Sequence, residues 1–366
     1  MVGRRPGAVH ARRNRSLGPV VGIVGAATGA GRLLASRLAI RDDVRRVVAV
    51  DSIRGDVDGV TWRILDVTDP ALVSRLAGCD VVVHAAVEVG VTDDTAARSR
   101  HNVRGTQTVL TAAAAASVKR VVVVTSAMVY GAQPDNAVPL PDDAPLRATP
   151  DGALISDLLE IEALCARSRR SHPGTTVIVV RPAALAGPGI DTVLTRHFEA
   201  PRLLVVRGST PAWQFCHVDD LASALEMVVL DGLEGPLTVG SEGWLSRSEV
   251  EALSGRASIE LPASFAFGTA ERLHRIGVTP APASELHYVT HPWVVSSQRL
   301  LSAGWRPSYD NAMALEALLD EVVGRHAVAS RRIGRRETAT LGAAGATVAV
   351  LGTAAVVRRA RRRRRS

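Results

Sequence analysis

The segment Gly25-Ala26-Ala27-Thr28-Gly29-Ala30-Gly31 directly follows the apolar run Val20–Val24, and the next apolar run ends on a carboxylate, Asp51. Glycines at the tip of a strand let the backbone turn sharply. A helix that starts at Gly29 then points its unpaired N–H groups at whatever lies in front of it. About 20 residues further on, a carboxylate at the neighbouring strand tip is placed to accept hydrogen bonds from a ribose diol. The combination restricts the start of the chain to a β-α-β unit, and its ligand to one carrying both pyrophosphate and ribose. Glycines alone also suit an ordinary strand–helix turn, so Asp51 and the motifs downstream carry the dinucleotide reading.

Further apolar runs of strand length occur at Val47–Val50, Thr61–Leu65, Val81–His84, Val121–Thr125 and Val177–Val180. Helical stretches at Gly31–Leu38, Ala97–Val118 and Ser156–Ser168 separate some of them. Strands alternating with helices predict an α/β fold, a doubly wound Rossmann-type parallel sheet covered on both faces. Right-handed crossovers then bring the carboxyl ends of the strands to one crevice. After about Gly187, proline and glycine interrupt the pattern, which suits a smaller C-terminal substrate lobe. The expected organisation is a basic arm over 1–17, a dinucleotide domain over 18–186 and the smaller lobe over 187–325, with 215–240 returning to the first domain. A linker over 326–337, a hydrophobic helix over 338–357 and a polyarginine tail over 358–366 complete it.

With 366 residues and 46% hydrophobic content, the chain can bury a full core. Its net charge of +8 comes from the ends, because five arginines lie within residues 1–15 and eleven between Arg331 and Arg365. The body is mildly acidic and carries no basic stripe interleaved with aromatics, which argues against a nucleic-acid partner. Cys79, Cys165 and Cys216 are too widely spaced for a metal motif or a disulfide framework, which suits a reducing compartment. Arginine outnumbers lysine 43 to 1, so Lys119 is the only lysine available to any mechanism. Thr338–Val357 is an uncharged stretch of 20 residues flanked by arginines, the length that spans a bilayer. The expectation is a protein held at the cytoplasmic face of a membrane by this helix, the alternative being a cytoplasmic protein.

The ordered set of motifs resembles the extended short-chain dehydrogenase/reductase superfamily, and within it the NAD-dependent epimerase/dehydratase family, in an actinobacterial UDP-glucose epimerase-like branch. The glycine turn and Asp51 are joined by Leu65-Asp66-Val67, Val82-Val83-His84-Ala85-Ala86, Asn102-Val103-Arg104-Gly105-Thr106, Val124-Thr125-Ser126, Tyr130-Gly131, Arg181-Pro182 and His217-Val218-Asp219-Asp220. The resemblance implies NAD as cofactor, with Gly25, Thr28, Gly29, Ala30 and Gly31 around the pyrophosphate and Asp51 on the adenine ribose. Asp66 and Val67 would meet the adenine, Ala85, Ala86 and Pro182 would line the middle of the crevice, and Asn102 would brace the helix beside it or cap a local bend. Val87, Ser126, Ala184, Trp213 and His217 fall where the family meets substrate, and no residue is assigned to a metal. Thr28 stands where the family usually has its middle glycine. A homodimer formed through two helices is common in the family, and Ala112–Ala116 with Ala163 suit such packing or close helix–sheet contact.

One element of that chemistry is missing. The family moves the substrate hydroxyl proton with a tyrosine and a lysine four residues later, on one helix face. Anchoring the helix on Glu162 puts Leu154 at the tyrosine position and Leu158 at the lysine position, and no Tyr-x-x-x-Lys occurs anywhere in the chain. Ser126 alone keeps its place, while Tyr130 reads as a packed ring. Positioned acid–base catalysis contributes about 10²–10⁴ in rate, so proton transfer must run through another group or be lost. Ser156, Asp157, Glu160 and His217 are the polar candidates nearby, each equally suited to capping or to a solvated face. Two readings follow. One is an NAD-dependent oxidoreductase or epimerase on a sugar nucleotide or lipid-like alcohol; the other is a catalytically silent NAD-binding scaffold or redox sensor tethered to the membrane.

Overall fold

The computed structural model describes residues 18–325 apart from 278, together with the short pairs 327–328 and 331–332. The arm 1–17, the expected hydrophobic helix 338–357 and the tail 358–366 lie outside the described residues. Among those described, no helix is long and apolar enough to cross a membrane.

The valine-rich runs form β1 (Val20–Val24), β2 (Arg46–Asp51), β3 (Thr61–Ile64), β4 (Val81–His84), β5 (Arg120–Val124) and β6 (Thr176–Pro182). Three short strands follow, β7 (Ala184–Ala186), β8 (Leu203–Val206) and β9 (Phe215–His217), and then β10 (Pro236–Val239). The main sheet has the order β10-β6-β5-β4-β1-β2-β3, with every neighbouring pair parallel. The order reverses between β1 and β4, and a crevice opens there beyond the carboxyl ends of the strands.

Alternation along the strands builds two apolar layers. Val21, Ile23, Val47, Ala49, Val81, Val83, Val122 and Ile178 face one layer, and their neighbours Val20, Val24, Val48, Val50, Val82, Val121, Val123 and Val177 face the other. Both sets are buried, which is why these segments read as unbroken apolar runs. On the first face lie α1 (Gly29–Ala39), through Leu34, Ala35 and Leu38, and a later helix over Val218–Asp231, through Leu221, Leu225 and Val228. The second face is covered by α2 (Leu72–Leu76), α4 (Gly105–Ala115) and the middle of α5 (Leu154–Ser171). Ala112 and Ala113 are buried against the sheet, so that part of the alanine run serves helix–sheet packing.

The expected single helix over Ala97–Val118 is broken into α3 (Thr95–Ser99), a π-helical turn over Arg100–Arg104, and α4. The extra residue in that turn directs Asn102 inward, where it is fully buried. The smaller lobe contains α6 (Val193–Glu199), α8 (Arg247–Ser254), α9 (Ala263–Arg275), α10 (His287–Thr290), a β7–β9 pair, and β8 paired with β11 (Ser258–Leu261). Glu226 of α7 (Val218–Asp231) binds Arg37 and Arg41 near the end of α1, and β10 joins the main sheet beside β6.

A buried ion pair locks α5 to the sheet. Arg181, on β6, donates from Nε and Nη2 to the two oxygens of Glu162, both at 2.8 Å, and Thr125 donates to Glu162 Oε1 at 3.1 Å. Arg181 Nη1 reaches Tyr130 Oη at 2.9 Å, and that hydroxyl donates to the Asp142 carbonyl at 2.7 Å. Tyr130 is thus the packed ring expected, 1% exposed. Glu162→Ala strands a buried guanidinium, which typically costs about 3–5 kcal/mol. Urea unfolding should show such a loss for Glu162→Ala, and a loss under about 1 kcal/mol would mean that this pair does not hold the helix.

Candidate active site

The turn after β1 is built for close approach on one side and open space on the other. Gly25 has φ +88°, and a Cβ there would come within 2.6 Å of Ala86 N. A Cβ on Gly31 would collide with the Gly25 carbonyl at 1.9 Å. Gly29, in contrast, has φ +54° and nothing within 4 Å of its ideal Cβ. Thr28 precedes α1 but makes no side-chain capping bond. The helix therefore presents first-turn N–H groups, uncapped by a side chain, next to clear space, as a pyrophosphate requires.

Asp51 faces this turn. Its Oδ2 accepts from Ala27 N at 2.9 Å, while Oδ1 has only long contacts with Ser52 Oγ at 3.4 Å and Ile53 N at 3.5 Å. One oxygen is anchored and the other is available to a diol. At the end of β3, Thr68 donates to Asp66 Oδ1 from its backbone N at 2.8 Å and its hydroxyl at 2.6 Å. These bonds, with a smaller contribution from His101, hold the Asp66 carboxyl below the usual range. An open groove of about 330 Å³ lies beside Asp66, with Glu88 and His101 among its other walls.

The strand end that closes the crevice is braced from the π-helical turn. Asn102 Oδ1 accepts from Glu88 N at 2.8 Å and its amide donates to Glu88 O at 2.9 Å. His101 Nε2 bonds to Ala86 O at 2.7 Å. Ala85 and Ala86, only partly buried, are held beside Gly25 and Gly31 by these contacts. Val67 packs in the second apolar layer against Gly105. The residues expected around the adenosine and pyrophosphate are thus brought together, and they fit NAD.

At the inner end a cavity of about 30 Å³ is lined by Ser126, Leu154, Pro182, Ala184, Glu285 and Trp293, among others. Ser126 and Leu154 thus share this cavity. Leu158 is fully buried in the core. Ser126 Oγ accepts from Met128 N at 3.2 Å, which aligns the hydroxyl at the start of a 3₁₀ turn over Ala127–Tyr130.

Several expected residues lie elsewhere. Trp213 is 6% exposed and stacks on His197, with Phe198 edge-on, so its ring packs in an aromatic cluster and does not line this cavity. His217 is 3% exposed, stacks on Tyr309 at 3.6 Å and accepts from Asp219 N at the start of α7; burial holds its imidazole below the ordinary range. Val87 packs against both apolar layers, and Val89 takes its place on the cavity wall. The alternative relay groups are also engaged. Ser156 Oγ accepts from Asp151 N and Gly152 N, Asp157 pairs with Arg98 at 3.4 Å, and Glu160 binds Arg167 at 2.6 Å on the surface.

Glu285 is the site residue that the motifs do not announce. It sits alone in a segment without family pattern, and only the docking of the C-terminal lobe brings it to the cavity. It is 4% exposed. Burial, and then Asp151, push its carboxyl up from 4.5 to about 7, with Arg98 pulling the other way. A carboxyl that holds its proton more tightly when folded favours the native state fully below about 4.5. That contribution fades as pH rises through 7. Stability of the wild type relative to Glu285→Gln should fall by up to about 3 kcal/mol across that window. Denaturant titrations at several pH values measure the difference, and a flat difference would rule out the raised carboxyl.

The chain matches the profile of the NAD dependent epimerase/dehydratase family over residues 21–237. It is 28% identical over 310 residues to an uncharacterised protein of Mycobacterium tuberculosis, covering 81% of this chain and 82% of that one. It is 32% identical over 169 residues, 44% of this chain and 47% of the relative, to the 4-hydroxy-2-methyl-3-oxo-4-farnesyl-3,4-dihydroquinoline-1-oxide ketoreductase of Stigmatella aurantiaca. The fold is similar to that of the Thermus thermophilus UDP-glucose 4-epimerase in complex with NAD, with a TM-score of 0.61, 19% identity, and coverage of 83% of this chain and 99% of that one. With its sheet order, its glycine turn and a family match that spans most of the sheet, this chain belongs to the NAD dependent epimerase/dehydratase family.

Proposed function

We propose that this protein is an NAD-dependent oxidoreductase acting on an uncharged, largely apolar alcohol or the corresponding ketone. The observation that carries the reading is the wall of the inner cavity, where Ser126 meets aliphatic side chains and no lysine or arginine takes part. A sugar-nucleotide diphosphate needs cationic or multiple N–H partners at that point. The relative from Stigmatella aurantiaca is, by its name, a ketoreductase of a farnesylated compound, which supports an apolar substrate.

Gly29 and the start of α1 hold the pyrophosphate, and Asp51 holds the adenine ribose. When bound, NAD supplies hydride exchange with a carbinol carbon. The chain's own task is to orient that carbon and to move the hydroxyl proton. Ser126 Oγ donates to the substrate oxygen, and Leu154 keeps water from the reacting centre. With leucine in place of lysine, the nicotinamide ribose loses a cationic partner, so affinity rests more heavily on the adenosine end.

A second reading has its own support. The cavity of about 30 Å³ is narrow for a substrate, and both relay positions are aliphatic. These features favour a protein that binds NAD without turning it over, as a scaffold or redox sensor. Purified protein should bind NAD, and Asp51→Ala should weaken that binding roughly 10- to 100-fold through the lost charge-assisted hydrogen bonds. Unchanged affinity in titration calorimetry would remove Asp51 from the site. Reduction of NAD by a panel of apolar secondary alcohols separates the readings: turnover supports the enzyme, while binding without turnover supports the silent protein.

The arginine-flanked segment 338–357 is proposed as a membrane anchor that would bring the crevice close to lipid-soluble substrates. Full-length protein should sediment with membranes, and a chain lacking 331–366 should not. Equal recovery of both in the supernatant would end this part of the proposal.

A further inference from the structure

The loss of the tyrosine leaves a wall of the inner cavity without its proton-handling group, and the C-terminal lobe supplies a carboxylate there. Glu285 lies on a 3₁₀ turn over Ala283–Leu286 and lines the cavity together with Ser126 and Leu154. Two contacts hold this turn in place. Tyr288 Oη donates to Met128 O at 2.7 Å, which ties the turn to the segment carrying Ser126. Ser284 Oγ reaches Asp151 Oδ2 at 3.3 Å, which ties it to the loop ahead of α5 and Leu154. Glu285 sits between these two anchors. No protein group among the described residues hydrogen-bonds its carboxyl, although the residue is 4% exposed. A carboxyl buried that far normally has a partner. A void of about 10 Å³, room for about one water, also touches Glu285 and Arg98, whose Nη2 has no partner.

We infer that Glu285 is the acid–base residue of this site, taking the substrate hydroxyl proton in the space that the family's tyrosine would fill. The inference rests on the oxidoreductase reading. In alcohol oxidation the O–H bond breaks and its proton passes to a Glu285 carboxylate oxygen. With NAD bound, the electron pair left on oxygen would form the C=O bond as the carbinol carbon gives up hydride to the cofactor, leaving the ketone and a protonated Glu285 that would return its proton to water. Reduction runs the same steps in reverse. Ser126 positions the oxygen throughout.

The charged surroundings suit a group that works near neutrality. Burial, and then Asp151 ahead of α5, hold the Glu285 proton on, while Arg98, on α3, favours its release, for a balance at about 7. Burial, and then the nearby Asp151 and Glu285, keep the phenol of Tyr288, on α10, protonated, so it does not compete as a base. The helix α9 also packs on this turn and carries Glu271, Arg272, His274 and Arg275, of which His274 is committed to the Thr279 carbonyl at 3.1 Å.

A binding experiment tests this without knowledge of the substrate. Oxidised nicotinamide is positively charged and reduced nicotinamide is not. A carboxylate beside the ring therefore binds NAD⁺ more tightly when ionised, and by linkage the preference for NAD⁺ over NADH grows with pH. The ratio of the two affinities cancels whatever titrates at the shared adenosine end. In the wild type, freed of copurified nucleotide, the ratio should rise roughly three- to tenfold between about pH 6 and pH 8, and Glu285→Gln should make it flat. Asp151→Asn keeps the carboxyl but removes a neighbouring charge, so the step should move to lower pH. It also carries the test if Glu285→Gln fails to fold by circular dichroism. A flat ratio in the wild type, or an equal slope in Glu285→Gln, overturns the inference while leaving NAD binding intact. If neither nucleotide binds at any pH, the oxidoreductase reading falls as well.

Discussion

The buried pair Arg181–Glu162 decides where everything at the inner end of the crevice stands. It joins β6 to α5 through two charge-assisted bonds and recruits Thr125 from the end of β5. Burying two charges is unfavourable unless each is fully engaged, and here the guanidinium also meets Tyr130 and lies over its ring. Such a network tolerates one register of α5 and penalises its neighbours. Given that register, Leu154 reaches the cavity of Ser126 and Leu158 falls into the core. The pair therefore sets which side chains of α5 meet the cavity and which join the core.

The two ends of the crevice have been treated differently. At the adenosine end the family's physical requirements persist: close contact of Gly25 and Gly31 with the 85–86 strand end, clear space before Gly29, and an anchored Asp51. At the inner end the cavity sets Ser126 among mostly apolar walls, with the buried carboxyl residue Glu285 also lining it. A dinucleotide can be gripped by its adenosine half alone. The reacting half is free to change without losing the cofactor.

Much of this was legible in the chain. The glycine turn, Asp51, Asp66, Asn102 and the missing tyrosine and lysine are local signals, each set by a turn, a strand tip or a one-turn helical spacing. The strands were legible because burial on both faces writes continuous runs of valine. The break in the helix at 100–104 was not, since a π-helical turn is stabilised by what Asn102 and His101 bond on a distant loop. Trp213 and His217 misled for a similar reason: a sequence position beside a site does not say whether the ring turns into the cavity or toward its aromatic neighbours.

By itself, the sequence determined the class of fold, the cofactor crevice and the absence of any Tyr-x-x-x-Lys pattern, because those follow from periodicity, glycine geometry and a census of residue types. Only the tertiary structure decided what fills the vacated place. Glu285 is more than a hundred residues from Ser126 and Leu154, and no local pattern marks it. Its role arises from the docking of one lobe on another, which strips water from a carboxyl and sets it at the cavity wall. That is a consequence of long-range packing, and the chain order does not record it.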